Sequence, residues 1–167
     1  MSKGNVLIYC GEGKGKTASA LGYAIRSASQ GKSVIIIQFL KGKNEDKISF
    51  MRRLEPEIKL FRFEKSEGDY EQLSEDEKKE ERMNIKNGFH FAKKVMVTGE
   101  CSVLILDEFL GLLDNKMISK EELVSMLEAK SEDMELVFTG RTIDATLYEY
   151  ADEIYRIHPE KEKNRGV

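Results

Sequence analysis

The sequence predicts an α/β fold, a mainly parallel sheet with helices packed on both of its faces. Three observations lead there. Short apolar runs alternate with longer stretches of helical periodicity along the chain. Two of the runs, Val34-Ile35-Ile36-Ile37 and Val103-Leu104-Ile105-Leu106, are continuous rather than alternating, as in strands covered on both faces. A loop rich in glycine and lysine separates the first run from the first helical stretch.

Composition narrows the function classes. The 167 residues carry 27 Lys and Arg against 30 Asp and Glu, a net charge of −3 that gives no general reason to expect nucleic acid as a partner. With 40% hydrophobic residues the chain is too apolar for disorder, and its length suits one domain, residues 1–167, with a single sizeable core. Only Cys10, Cys101, His90 and His158 offer sulfur or imidazole ligands, and no CxxC occurs, so a structural zinc site and most nucleophilic triads are disfavoured. The apolar stretch Val6 to Cys10 is too short for a signal-peptide core or a membrane span. A soluble protein of the reducing cytoplasm, with no membrane or nucleic-acid partner, is the expectation.

Element by element, the first strand is expected over Asn5 to Cys10. A helix follows over Lys16 to Gln30, with Ala20, Leu21, Ala24, Ile25 and Ala28 along one stripe and Gly31 placed to cap its end. Strands at Ser33 to Phe39 and Lys59 to Phe63 come next. Ser74-Glu75-Asp76-Glu77 has the capping-box form that satisfies free N–H groups in a first turn, and Ile85, Phe89, Ala92 and Met96 continue at helical spacing to a stop at Gly99. Val103 to Asp107 reads as a central strand, as does the second. Ser119-Lys120-Glu121-Glu122 repeats the capping box, with Ile118 and Leu123 as a hydrophobic staple, and predicts a helix over Lys120 to Ala129. Strands at Glu135 to Thr139 and Glu153 to Ile157 complete the chain.

The stretch Gly11-Glu12-Gly13-Lys14-Gly15-Lys16-Thr17, between strand and helix, is the most informative. Glycines let backbone N–H groups converge on an anion, a helix N-terminus adds positive dipole, Lys16 adds charge, and Thr17 can ligate magnesium. This is a triphosphate cradle, and it makes the expected fold P-loop NTPase-like (RecA-like). Cys10 stands where the strict GxxxxGK[ST] pattern has its first glycine. A dinucleotide fingerprint would need its third glycine at position 16, which is Lys16, and an acidic residue where the second strand ends in neutral Gln38. Leu104-Ile105-Leu106-Asp107-Glu108 delivers carboxylates to the same sheet edge, so that Asp107 and Glu108 could hold Mg²⁺ directly or through water. At the end of the fifth strand, Thr139-Gly140-Arg141 places a guanidinium there, able to clamp a phosphate or to pair with Asp144 or another surface acid.

Taken in order, the loop Gly11 to Thr17, Gln38-Phe39-x-Lys41-Gly42, Leu106-Asp107-Glu108, Thr139-Gly140-Arg141 and Ala151-Asp152 resemble the P-loop corrinoid adenosyltransferases, over roughly residues 5 to 157. The resemblance implies transfer of the 5′-deoxyadenosyl group of ATP to the reduced cobalt of a corrinoid, with release of triphosphate, in cobalamin biosynthesis. It implies ATP binding by Gly11, Glu12, Gly13, Lys14, Gly15, Lys16, Thr17 and Arg141, and Mg²⁺ held by Thr17 and Glu108, with Asp107 behind them. Phe39 and Tyr70 are the implied corrinoid contacts. A homodimer and a partner protein that reduces the cobalt are further implications. Where family members often carry a helix before the first strand, base-displacing aromatics after the third and a basic, aromatic tail, this sequence has four residues, Ser66-Glu67-Gly68-Asp69-Tyr70 and Arg165-Gly166-Val167. The phosphate loop and Asp107-Glu108 would also suit another P-loop ATPase or small-molecule kinase, or a non-catalytic nucleotide- or corrinoid-binding protein.

The near-neutral total is unevenly spread. Residues 1–63 hold 12 basic and 5 acidic side chains, whereas residues 64–82 hold 4 and 9. The basic first third is expected to serve one polyanion, ATP.

Overall fold

Alternate residues of each central strand face opposite ways, and here both directions are covered. In the computed structural model, which describes residues 4–40, 49–63 and 70–163, Val34 and Ile36 face one layer while Ile35 and Ile37 face the other. This is why the run shows no polar alternation. Six parallel strands form the sheet: β1 (Val6–Cys10), β2 (Val34–Gln38), β3 (Ile58–Arg62), β4 (Val103–Asp107), β5 (Glu135–Thr139) and β6 (Glu153–Arg156). Their order is β3-β2-β4-β5-β1-β6, so β1 lies between the last two strands to be made. All six expected strands are present, with ends shifted by a residue or so.

On one face lies α1 (Lys16–Ser29), packing Ala20 and Ala24 against Leu7, Val34, Ile36, Val103, Ile105 and Val137. The small alanines let this helix sit close to the sheet. Ile25, expected on the same stripe, is 56% exposed. The buried face centres on Ala20, Ala24 and Ser27, and at about 100° per residue Ile25 falls outside it.

The other face carries α2 (Glu75–Thr98) and α4 (Lys120–Glu128), which bury Ile85, Phe89, Ala92, Met96, Leu123 and Met126 against Ile8, Ile37, Leu104, Leu106 and Phe138. Each fully buried side chain of this size contributes about 1.5–3 kcal/mol. Both capping boxes form: Ser74 and Glu77 exchange backbone-to-side-chain bonds at 2.8 and 3.3 Å, and Ser119 and Glu122 at 2.8 and 3.1 Å. The staple residues Ile118 and Leu123 are buried, and Gly99 ends α2 at a φ of 65°.

Two short helices were not anticipated, α3 (Leu110–Asp114) and α5 (Ala145–Tyr150). Each spans little more than one turn, too short for periodicity to register. Asp144 caps α5 by accepting the Thr146 N–H at 2.9 Å. Cys10 and Cys101 are buried and free, and among the described residues no helix is long and apolar enough to cross a membrane. The expected features at Lys41-Gly42, Ser66 to Asp69 and Arg165 to Val167 lie outside the described residues.

Candidate nucleotide site

Parallel strands all point their carboxyl ends at one edge, and here most of those ends are polar. β3 ends in Arg62, β2 in Gln38, β4 in Asp107 and β5 in Thr139. Because these strands are neighbours in that order, the four side chains form a row along the edge. Arg62 Nε donates to Gln38 Oε1 at 2.8 Å, and Gln38 Nε2 donates to Asp107 Oδ2 at 3.1 Å. From the opposite side Thr139 Oγ1 donates to Asp107 Oδ1 at 2.6 Å.

Asp107 is 1% exposed, and a buried carboxylate is tolerable only when donors surround it. A further donor comes from the phosphate loop, where Thr17 Oγ1 lies 3.1 and 3.2 Å from the two Asp107 oxygens. The strand-end carboxylate and the first turn of α1 are thereby locked together. A threonine hydroxyl whose hydrogen is given to Asp107 turns its lone pairs outward, as a cation ligand requires.

The loop itself is shaped by β5 and β6. Gly11 N–H donates to the Arg141 carbonyl at 2.9 Å, and Gly13 N–H donates to the Ile157 carbonyl at 3.0 Å. Gly11 holds a φ of 112°, and a Cβ there would lie 2.2 Å from the Ile157 oxygen, so no other residue fits. Gly15 caps α1 at a φ of 108° with open space around it, and the first turn of α1 contains no acidic residue. The positive end of the helix dipole therefore meets no acidic side chain of its own first turn, which favours an anion there. Lys16 is buried and its Nζ donates to the Gly13 carbonyl at 2.9 Å, within the loop. Glu12 and Lys14 are exposed.

Glu108 turns out of the sheet with a φ of 59°, a left-handed conformation that costs a non-glycine residue of the order of 1–3 kcal/mol. Its N–H donates to Thr139 Oγ1 at 2.8 Å, which anchors the turn. Oxygen donors from Thr17, Asp107 and Glu108 suit a hard cation. Among the described residues no group of three or more His, Cys, Asp and Glu could hold a metal. A phosphate-bound magnesium needs fewer protein ligands, because phosphate and water supply the rest.

Arg141 is exposed beside the loop. The alternative pairing with Asp144 is not made, because Asp144 caps α5 and lies 3.4 Å from Lys120. The Thr146 hydrogen bonds, with Lys120 beside them, hold its carboxyl below the usual range. Asp152, matched with Ala151 in the sequence, accepts the Val6 N–H at 2.8 Å and so fixes the start of β1. The two implied corrinoid contacts differ in setting. Phe39 is fully buried and packs edge-on against Phe109 at 5.6 Å, so its ring presents no surface to a ligand. Tyr70 is half-buried; its hydroxyl accepts from Arg82 at 2.6 Å, and Lys78 lies over its ring at 5.7 Å.

Sequence reasoning assigned no role to Thr139, Gln38 or Arg62. A signal for them exists, since each is a polar residue closing a largely apolar strand. The Ile157 carbonyl is a main-chain group with no signal in residue type.

Comparison with known proteins bears on the family and the fold. A family model described as ATP:corrinoid adenosyltransferase BtuR/CobO/CobP matches residues 2–167. An uncharacterized protein of Nostoc sp. is 32% identical over 164 residues, covering 89% of this chain but only 42% of that protein's own length. The corrinoid adenosyltransferase of Escherichia coli K12 is 25% identical over 161 residues, covering 95% of this chain and 79% of the relative. The corrinoid adenosyltransferase CobA of Salmonella typhimurium is 26% identical with the same coverage. Among solved structures, a KaiC-like protein of Pyrococcus horikoshii matches the fold with a TM-score of 0.63 at 15% identity, over 95% of this chain and 75% of that one.

Proposed function

The chain belongs to the ATP:corrinoid adenosyltransferase family, and from that membership we propose that it transfers the 5′-deoxyadenosyl group of ATP to the reduced cobalt of a corrinoid. The cobalt(I) electron pair forms the bond to C5′, the C5′–O5′ bond breaks, and its electron pair leaves with triphosphate. The nucleophile thus arrives with the substrate. What remains for the protein is to hold the triphosphate, stabilise the charge that grows on it, and aim C5′ at the metal.

The residues divide that work. Within the loop from Gly11 to Thr17, whose Gly11 and Gly13 N–H groups go to the Arg141 and Ile157 carbonyls and set its shape, the remaining N–H groups and the start of α1 bind phosphate oxygens, and the Lys16 ammonium passes from the Gly13 carbonyl to the bound anion. Lys14 and Arg141 add charge from the rim. Thr17 and Glu108 would hold Mg²⁺, with Asp107 orienting the Thr17 hydroxyl. When bound, that ion offsets negative charge on the leaving triphosphate. The observation that supports this reading most is the Thr17–Asp107 contact, which joins the phosphate loop to the strand-end carboxylate.

The wider setting belongs to the same proposal: one domain over residues 1–167, acting in the cytoplasm as a homodimer, in cobalamin biosynthesis, with a separate protein reducing the cobalt. The test is to incubate the protein with ATP, magnesium and a chemically reduced corrinoid and to identify the phosphate product. Triphosphate together with a cobalt–carbon absorption spectrum is expected. ADP and phosphate without a cobalt–carbon bond would replace this reading with an ATPase or kinase.

A further inference from the structure

The apolar run Val34 to Ile37 closes in Gln38, which is 6% exposed. Burying an amide costs free energy unless both of its ends find partners, and another aliphatic residue would have continued the strand at no such cost. A glutamine in this place is explained by what its two ends hold.

Register supplies the partners. Gln38 pairs with Arg62 on β3 and with Asp107 on β4, so the three side chains leave the sheet on the same side. A guanidinium only donates hydrogen bonds and a carboxylate only accepts them. Between the two, the amide has one workable orientation, its oxygen toward Arg62 Nε at 2.8 Å and its nitrogen toward Asp107 Oδ2 at 3.1 Å. Glutamate would keep the first contact and turn the second into repulsion. The residue type at 38 is thus specified by its two neighbours.

Asp107 receives the amide on one oxygen and the Thr139 hydroxyl on the other, at 2.6 Å. Two donors on opposite oxygens fix the plane of a carboxylate. Thr17 Oγ1 lies 3.1 and 3.2 Å from the same two oxygens, and Thr17, Gln38 and Asp107 line one narrow crevice under the first turn of α1. The direction of the Thr17 hydrogen therefore depends on a carboxylate that Gln38 helps to hold.

Resting on the adenosyl-transfer reading and its magnesium site, we propose that Gln38, oriented by Arg62, is a positioning residue for that magnesium. It acts through Asp107 rather than by contact with nucleotide or cation. The amide keeps the Asp107 carboxylate from turning about its Cβ–Cγ bond, Asp107 keeps the Thr17 hydrogen inward, and the Thr17 lone pairs stay aimed at the cation. The edge strand β3, which carries no residue of the phosphate loop, thereby contributes to the metal-dependent part of ATP binding.

The test is calorimetric binding of ATP, without corrinoid, in magnesium and in EDTA, for the wild type, Gln38→Glu, Gln38→Met and Arg62→Met, with circular dichroism to check folding. In the wild type magnesium is expected to strengthen ATP binding. In both Gln38 variants that strengthening should fall by about tenfold, the scale on which a group orienting a metal ligand acts, while affinity in EDTA stays at the wild-type value. Arg62→Met should lower it by a smaller factor, because the amide is freed to turn rather than removed. Arg62 is only half-buried on an edge strand, so this variant decides the matter if both Gln38 variants fail to fold. Strengthening that is unchanged in every folded variant overturns the role of Gln38. So does an equal loss in magnesium and in EDTA, which marks a merely structural residue. Both results leave adenosyl transfer standing. A wild type that binds ATP no better with magnesium refutes the magnesium site and this inference with it, and adenosylcorrinoid formation by the same preparation shows separately whether the reaction holds.

Discussion

Lys16 is the residue whose present contact differs most from its proposed task. Its ammonium sits on the Gly13 carbonyl, inside the loop it is to neutralise. Lys16→Ala should therefore leave the fold intact and weaken ATP binding at least tenfold, since a charge-assisted contact with phosphate is lost. Calorimetric titration with ATP, beside a circular dichroism spectrum, reads both parts. Unchanged affinity would place the phosphates elsewhere. Cys101 makes a separate prediction about pH. Burial pushes its thiol up to about 11 from an ordinary value near 9, with Glu100 adding to the rise. The unfolded thiol ionises first, so stability from this group is complete below about pH 9 and declines as pH rises toward 11. The decline amounts to about 2–3 kcal/mol. Tyr23, raised by burial and by its bond to Glu135, acts in the same direction. Urea unfolding of wild type and Cys101→Ala between pH 8 and 11 should show the flatter profile in the variant.

At the scale of elements, α4 depends on a cap with a double duty. Glu122 closes the capping box with Ser119 and also accepts from Lys86 on α2 at 2.7 Å, tying the start of α4 to the middle of α2. The Lys86 hydrogen bond leads the causes that hold its carboxyl below the usual range, followed by the bond to the Ser119 backbone. Ser119→Ala should cost about 1 kcal/mol, visible as a lower urea midpoint with an unchanged slope. Both caps were legible in sequence because a capping box is a local pattern of residue types. The six strands were legible because runs such as Val103 to Leu106 must be apolar when two layers cover them. α3 and α5 were not, being too short to show a period, and the exposure of Ile25 depends on which face α1 turns to the sheet. The phosphate loop and Asp107 were legible, as residue types that a triphosphate site demands. Their flanking row was only partly so. Gln38 and Thr139 become neighbours of Asp107 through strand order, and strand order is decided by packing between distant segments. For the same reason Phe39, a plausible ligand contact in one dimension, proves to be core.

For the whole molecule, strand order has effects beyond the site. β2 pairs with β3 and β4, its near neighbours in the chain, whereas β1 pairs with β5 and β6 from the far end. Long-range parallel pairing is slow, because a large loop must close before any contact rewards it. Pulsed hydrogen exchange during refolding should find amides of Val34–Gln38 and Val103–Asp107 protected before those of Val6–Cys10. Simultaneous protection would show that the sheet forms in one step. The carbonyl of Ile157, which holds the Gly13 N–H, adds a second consequence. During synthesis the phosphate loop leaves the ribosome long before Ile157, the residue that shapes it. A nascent chain therefore carries the nucleotide-binding motif throughout that interval without a nucleotide-binding site, and competence to take up ATP marks a chain that has been translated past its sixth strand and folded.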